Sequence, residues 1–229
     1  AIGVAAMTAR ILGCSPRQIH EAAGIGEYHG PRSQMMRCID HPTMVRDGVG
    51  WGAPTGVMAG FLAQNGFTGA PALTCQGLHW QGLGQRWKLV SDTHYKPYPC
   101  CRWSHPSIDA AAELMGRHSL SHHDVASVKI KTFHNATRLA GHRPVSADEF
   151  AYSIAFPVAC MIVRGQVGVQ ELDILSFKDP DILRISTATT LIDDPHLTQI
   201  SDGKRWAQVS ILMRDGTHHD ADPRTPRGD

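Results

Sequence analysis

An α+β fold is the class this sequence predicts, and two contrasts within the chain carry that prediction. Residues 1–93 show helix signals and no strand alternation, whereas residues 94–222 mix apolar helices with alternating segments. Val128, Ile130 and Thr132 alternate within Ser127–Phe133, which predicts a strand. Ala207–Met213, Arg214-Asp215-Gly216 and Thr217–Asp220 predict a hairpin closed by Asp-Gly. The expected organisation is a partial helical domain over 1–93, a small α/β domain over 94–222 and a polar tail over 223–229, with the boundary near Ser91–His94.

The elements follow in order. Ala1–Leu12 is helical, with Ile2, Ala5, Ala6, Ala9 and Leu12 on one face and Gly13 positioned to end it. No initiator Met and no capping residue precede this helix, and the chain ends on a polar stretch, so we expect a sequence cut at both ends. Ser15-Pro16-Arg17-Gln18 predicts a second helix start, with Ser15 as N-cap, Pro16 in the first turn and Gln18 completing a capping box; the helix is expected to reach about Gly24. Tyr28–Asp40 is read as part helix and part loop. Thr55–Asn65 is a small-residue helix suited to close packing, Pro71–Gly77 begins a short one, and Leu78–Asp92, with Trp80 and Trp87, is a connector. Beyond the boundary, Pro106–Met115, a long apolar Ala147–Arg164 and a short Asp179–Ser186 are expected helices.

Bulk properties exclude several functions. The 229 residues are enough to bury a sizeable core, and apolar residues make up an ordinary 42%. The 22 Lys and Arg against 21 Asp and Glu leave no basic stripe for nucleic acid. No apolar run has the length of a membrane span. The cysteines Cys14, Cys38, Cys75, Cys100, Cys101 and Cys160 form no CxxC pair, and their scatter points to a reducing, cytoplasmic setting. His122-His123 and His218-His219 could suggest a metal, but adjacent side chains are expected to point apart and no third ligand is evident, so no metal and no other cofactor is assigned.

Four segments resemble the MmgE/PrpD family, which includes 2-methylcitrate dehydratase and cis-aconitate decarboxylase. Met44-Val45-Arg46-Asp47-Gly48 with Gly50-Trp51-Gly52-Ala53-Pro54-Thr55-Gly56-Val57 resembles a family turn entering a Gly/Ala-rich helix. Leu62-Ala63-Gln64-Asn65-Gly66-Phe67-Thr68-Gly69 is similar to the family's LAxxGFTG. Lys96-Pro97-Tyr98-Pro99-Cys100-Cys101-Arg102-Trp103-Ser104-His105-Pro106-Ser107-Ile108-Asp109-Ala110 is similar to KxYPxCxxxHxxIDA. Pro144-Val145-Ser146 and Ala151-Tyr152-Ser153-Ile154-Ala155-Phe156-Pro157-Val158-Ala159 resemble the fourth. Order and spacing match throughout. The resemblance implies a large helical domain and a smaller α/β lid, with the site between them, and no metal. It implies chemistry on a small di- or tricarboxylate: a lyase such as a dehydratase, or a family epimerase or decarboxylase. A family motif holding a catalytic histidine is expected before Ala1. The partners expected are therefore the carboxylate and either a second copy, as a homodimer, or a polypeptide supplying the N-terminal half. A non-catalytic fragment or split subunit is the alternative.

Within that chemistry the residues are weighed singly. Lys96, flanked by Pro97 and Pro99, matches a family catalytic-site lysine; it would hold a carboxylate or, desolvated, move a proton, and otherwise it is a solvated surface lysine. His105 precedes a helix, whose positive end disfavours imidazolium, so a neutral ring able to accept or polarise is expected, against simple capping or burial. Arg102 could fork onto a carboxylate or lie on the surface. Arg46 stands where many family members carry Lys; it can bind a carboxylate but cannot act as a base. A family tyrosine expected near Thr137–Ala140 is absent, and Arg138 stands close to its place. Cys100 and Cys101 are read as packed thiols, and Tyr152 and Phe156 as core positions at i, i+4 of one helix.

Overall fold

Ser15 starts the second helix by the predicted chemistry: its side chain accepts from the Gln18 amide and its own amide donates to Gln18 Oε1, at 3.3 and 2.9 Å. The structure is a computed structural model that describes residues 1–46, 48–76, 84, 85 and 87–228. Asp47 of the first motif, Trp80, and residues 78–83 and 86 of the expected connector lie outside the described residues.

The architecture is α+β, and the chain divides into two compact units, Ala1–Cys38 with Val45–Thr93, and Ile39–Met44 with His94–Asp229. The first contains α1 (Ile2–Ile11), α2 (Pro16–His29), α4 (Val49–Gln64), α5 (Leu73–Gln76) and α6 (Lys88–Ser91); α3 (Met35–Asp40) runs from it into residues counted with the second. Helices α1, α2 and α4 pack mutually around Ala5, Ala9, Ala22, Ile25, Ala59 and Ala63. A core of alanines needs close backbones, and Gly56 provides one contact. A Cβ there would lie 2.6 Å from the Ala1 carbonyl oxygen and 2.9 Å from the Ala5 amide nitrogen, both main-chain atoms. Gly56→Ala is therefore expected to force α1 and α4 apart and cost about 1–3 kcal/mol despite alanine's better helix propensity. Urea unfolding checks this, and an unchanged midpoint would refute the close approach.

The second unit is built on a four-stranded sheet of order β2-β1-β3-β4. Its strands are β1 (Val125–Thr132), β2 (Thr189–Asp193), β3 (Ala207–Met213) and β4 (His218–Asp220). β1 pairs parallel with β2 and antiparallel with β3, so Ile130 lies between Leu191 and Val209; β3 pairs antiparallel with β4 through a turn in which Gly216 has φ 89°. Val128, Ile130, Thr132, Val209, Ile211 and Met213 are buried on one face, while Lys129 and Ser210 belong to the other. Helix α7 (His105–Arg117) packs on β3 and on α10 (Ala155–Arg164), which packs on α12 (Pro180–Thr187). Short helices α8 (His134–Thr137), α9 (Ala147–Ala151), α11 (Ile174–Lys178) and α13 (Pro195–Ile200) complete the unit.

Two sequence readings need correction. The expected helix Ala147–Arg164 is broken into α9 and α10. Pro157 has no amide to bond the carbonyl of Ser153 and its ring would clash there, which favours a break before it. Instead Ser146 caps α9, and the Ser153 hydroxyl accepts from the Phe156 amide at 3.1 Å to start α10. Tyr152 and Phe156 therefore do not share one helix face; Phe156 is fully buried, Tyr152 only half-buried.

The second correction concerns His122 and His123. They sit in a 3-10 turn, His122–Asp124, where successive residues are rotated by about 120° rather than opposed. Their rings meet at 3.9 Å between centroids, tilted by 40°, instead of pointing apart. By contrast His218 and His219 lie in β4, where neighbours do face opposite ways. Among the described residues no helix is long and apolar enough to cross a membrane.

Candidate active site

The third sequence segment is fixed to the fold at both ends of a 3-10 turn, Arg102–Ser104, that leads directly into α7. The Cys101 amide donates to the Ala151 carbonyl at 2.8 Å, and the buried Ser104 hydroxyl donates to the Ser153 carbonyl, also at 2.8 Å. Trp103 meets Phe133 edge to face. The helix break corrected above thus holds this turn: carbonyls at residues 151 and 153 are available because no helix consumes them.

His105 is the first residue of α7 and is only 1% exposed. Its Nε2 lies 3.2 Å from the Cys100 carbonyl oxygen, and the Tyr98 ring meets it edge to face. Burial pushes its pKa down to about 4; the Cys100 carbonyl opposes that, and the positive charges of Lys96 and Arg102 add to it. The ring is therefore neutral at pH 7. The tautomer that satisfies the Cys100 carbonyl carries its proton on Nε2, which leaves Nδ1 as the basic nitrogen.

Tyr98 and Asp109 form the layer beneath. The Tyr98 hydroxyl donates to Asp109 Oδ1 at 2.5 Å, and burial, then that carboxylate, hold the phenol protonated far above its usual range. Asp109 Oδ2 accepts from the Arg227 amide at 2.8 Å, and the Arg227 guanidinium lies over the Tyr98 ring. Arg224 adds a bond to Glu113 at 2.5 Å and one to the Asp109 carbonyl at 3.2 Å. Residues 224–227, read from sequence as a polar tail, are thereby bound to α7 and, through Arg224, to Ala207 of β3.

The structure brings three of the four sequence-predicted residues into one electrostatic neighbourhood: Lys96, which is exposed, Arg102, which is half-buried, and His105. Arg46 is exposed in the first unit. Arg138, near the place of the absent tyrosine, makes a two-point ion pair with Asp40. Burial raises the Cys100 thiol well above its usual range, so it is packed and unreactive. Sequence reasoning gave Tyr98, Asp109, Arg224 and Arg227 no role. Asp109 had a usable signal, since it follows His105 by four on one helix. The two arginines had none, because their partners are more than a hundred residues away.

A family model, the MmgE/PrpD C-terminal domain, matches residues 98–229. The chain belongs to the MmgE/PrpD family. The matched stretch takes in Arg102, His105, Asp109 and the docked tail, and it begins two residues after Lys96. No curated protein gives a significant match to the chain.

Proposed function

We propose that this MmgE/PrpD chain acts as a metal-independent lyase on a small di- or tricarboxylate, with dehydration of the 2-methylcitrate type as its reaction. The observation that supports the reading is a neutral, buried His105 on which the cations Lys96 and Arg102 both bear. Lys96 takes a substrate carboxylate, Arg102 reinforces it, and His105 accepts or polarises. An arriving carboxylate brings negative charge next to the depressed imidazole and raises its basicity, so substrate binding itself readies the base. Arg46 is assigned to carboxylate binding, since a guanidinium holds its proton. Six free cysteines agree with a reducing, cytoplasmic setting, and a homodimer is the assembly proposed with it.

Turnover of 2-methylcitrate and cis-aconitate by the purified chain tests this. Lys96→Ala is expected to lower kcat/KM by about a hundredfold or more, and Lys96→Arg to restore KM while leaving kcat low if the lysine moves a proton. Turnover indifferent to Lys96 would end the assignment. A second reading, a non-catalytic or split subunit needing a separate N-terminal polypeptide, is favoured by the near-complete burial of His105 and by Arg138 being engaged with Asp40. It predicts carboxylate binding that depends on Lys96 but no turnover by this chain alone.

A further inference from the structure

We propose that His122, His123 and Asp181 form a binding site for a divalent transition-metal ion of the zinc class, separate from the carboxylate chemistry above. One ligand atom from each of the three lies within 4.8 Å of the others, so small side-chain rotations converge them on one ion. Two elements that are themselves fixed together hold them. Ser121 caps the 3-10 turn by accepting from the His123 amide at 3.3 Å. Arg184 of α12 then donates to the carbonyls of His122 and Val125, both at 2.8 Å, and so fastens the turn to the helix whose first turn carries Asp181. The backbone separation between the two histidines and the carboxylate is thus set before any ion arrives.

A second, independent observation points to a ligand. His122 Nδ1 is shut off from solvent and has no hydrogen-bond partner among the described residues. A buried imidazole nitrogen normally finds one, and a metal ion bound at Nδ1 satisfies it directly. Arg184 Nε sits 3.7 Å from Asp181 Oδ1 and orients that carboxylate, leaving its second oxygen for the ion. The donor set decides the metal: two imidazoles and one carboxylate favour zinc, nickel or copper over magnesium or calcium, which want oxygen ligands. His123 is exposed, so the fourth position opens to solvent.

The full chain, stripped with a chelator, is titrated with Co2+ followed by visible absorption and with Zn2+ by calorimetry. One equivalent is expected to bind, with Mg2+ failing to compete. His123→Ala and Asp181→Asn are each expected to weaken binding more than about tenfold. Asp181→Asn keeps the side chain's size, and unchanged circular dichroism without metal confirms that it folds. No saturable binding, or binding that survives both substitutions, overturns the site and leaves only a close histidine pair.

Discussion

Asp109→Ala is expected to destabilise the second unit by about 3 kcal/mol. The carboxylate is 6% exposed and receives two short bonds, from the Tyr98 hydroxyl at 2.5 Å and the Arg227 amide at 2.8 Å. Bonds to a charged acceptor contribute roughly 1.5–3 kcal/mol each, and a buried donor left unpartnered costs about 1–3 kcal/mol. The Arg227 guanidinium adds little to this sum, because its side chain is 68% exposed and water screens it. Asparagine keeps one acceptor and should show about half the loss. Urea denaturation followed by circular dichroism measures both. The same substitution has a chemical consequence, because the Asp109 charge raises the His105 pKa against the burial that holds it down to about 4, so its loss should lower that pKa further. An unchanged midpoint together with an unmoved histidine titration would sink this account of the network.

What could be read beforehand depended on the range of the interaction. The Ser15 capping box, Pro106 at the start of α7, the alternation in β1 and the Asp-Gly turn are all decided within a few residues, and each is found in the structure. β2 went unread because Thr189–Asp193 is a five-residue edge strand, mostly half-buried or exposed, whose pairing comes from β1 more than fifty residues earlier. The break at 152–154 was legible in principle, since Pro157 disfavours the continuous helix, but the apolar run around it hid the signal. Lys96 and His105 stood out because a motif and a helix start coincide there. Asp109 is the sharper lesson. An aspartate on an apolar helix face needs a partner; Tyr98 lies in the same motif, but Arg227 was visible only once the tail was folded back onto α7.

The pH dependence of stability gives a second large effect, and its sign follows from His105. In the unfolded chain this ring titrates at its ordinary 6.5; in the folded unit burial, helped by Lys96 and opposed by the Cys100 carbonyl, lowers it to about 4. Between those values the unfolded state binds a proton that the folded state refuses, so stability rises with pH across the window. The contribution is complete above pH 6.5, declines as pH falls, and is gone once the folded pKa of about 4 is passed. The interval corresponds to about 3 kcal/mol. Unfolding free energies measured from pH 7 to 4 should therefore fall more steeply for the native chain than for His105→Gln, which cannot take up the proton. Parallel slopes would show that the ring is not held neutral. Lys96→Ala discriminates the causes: because burial outranks the lysine charge, that variant should retain most of the slope while losing the proposed carboxylate binding. Such a result would separate the group that meets the substrate from the packing that keeps His105 uncharged.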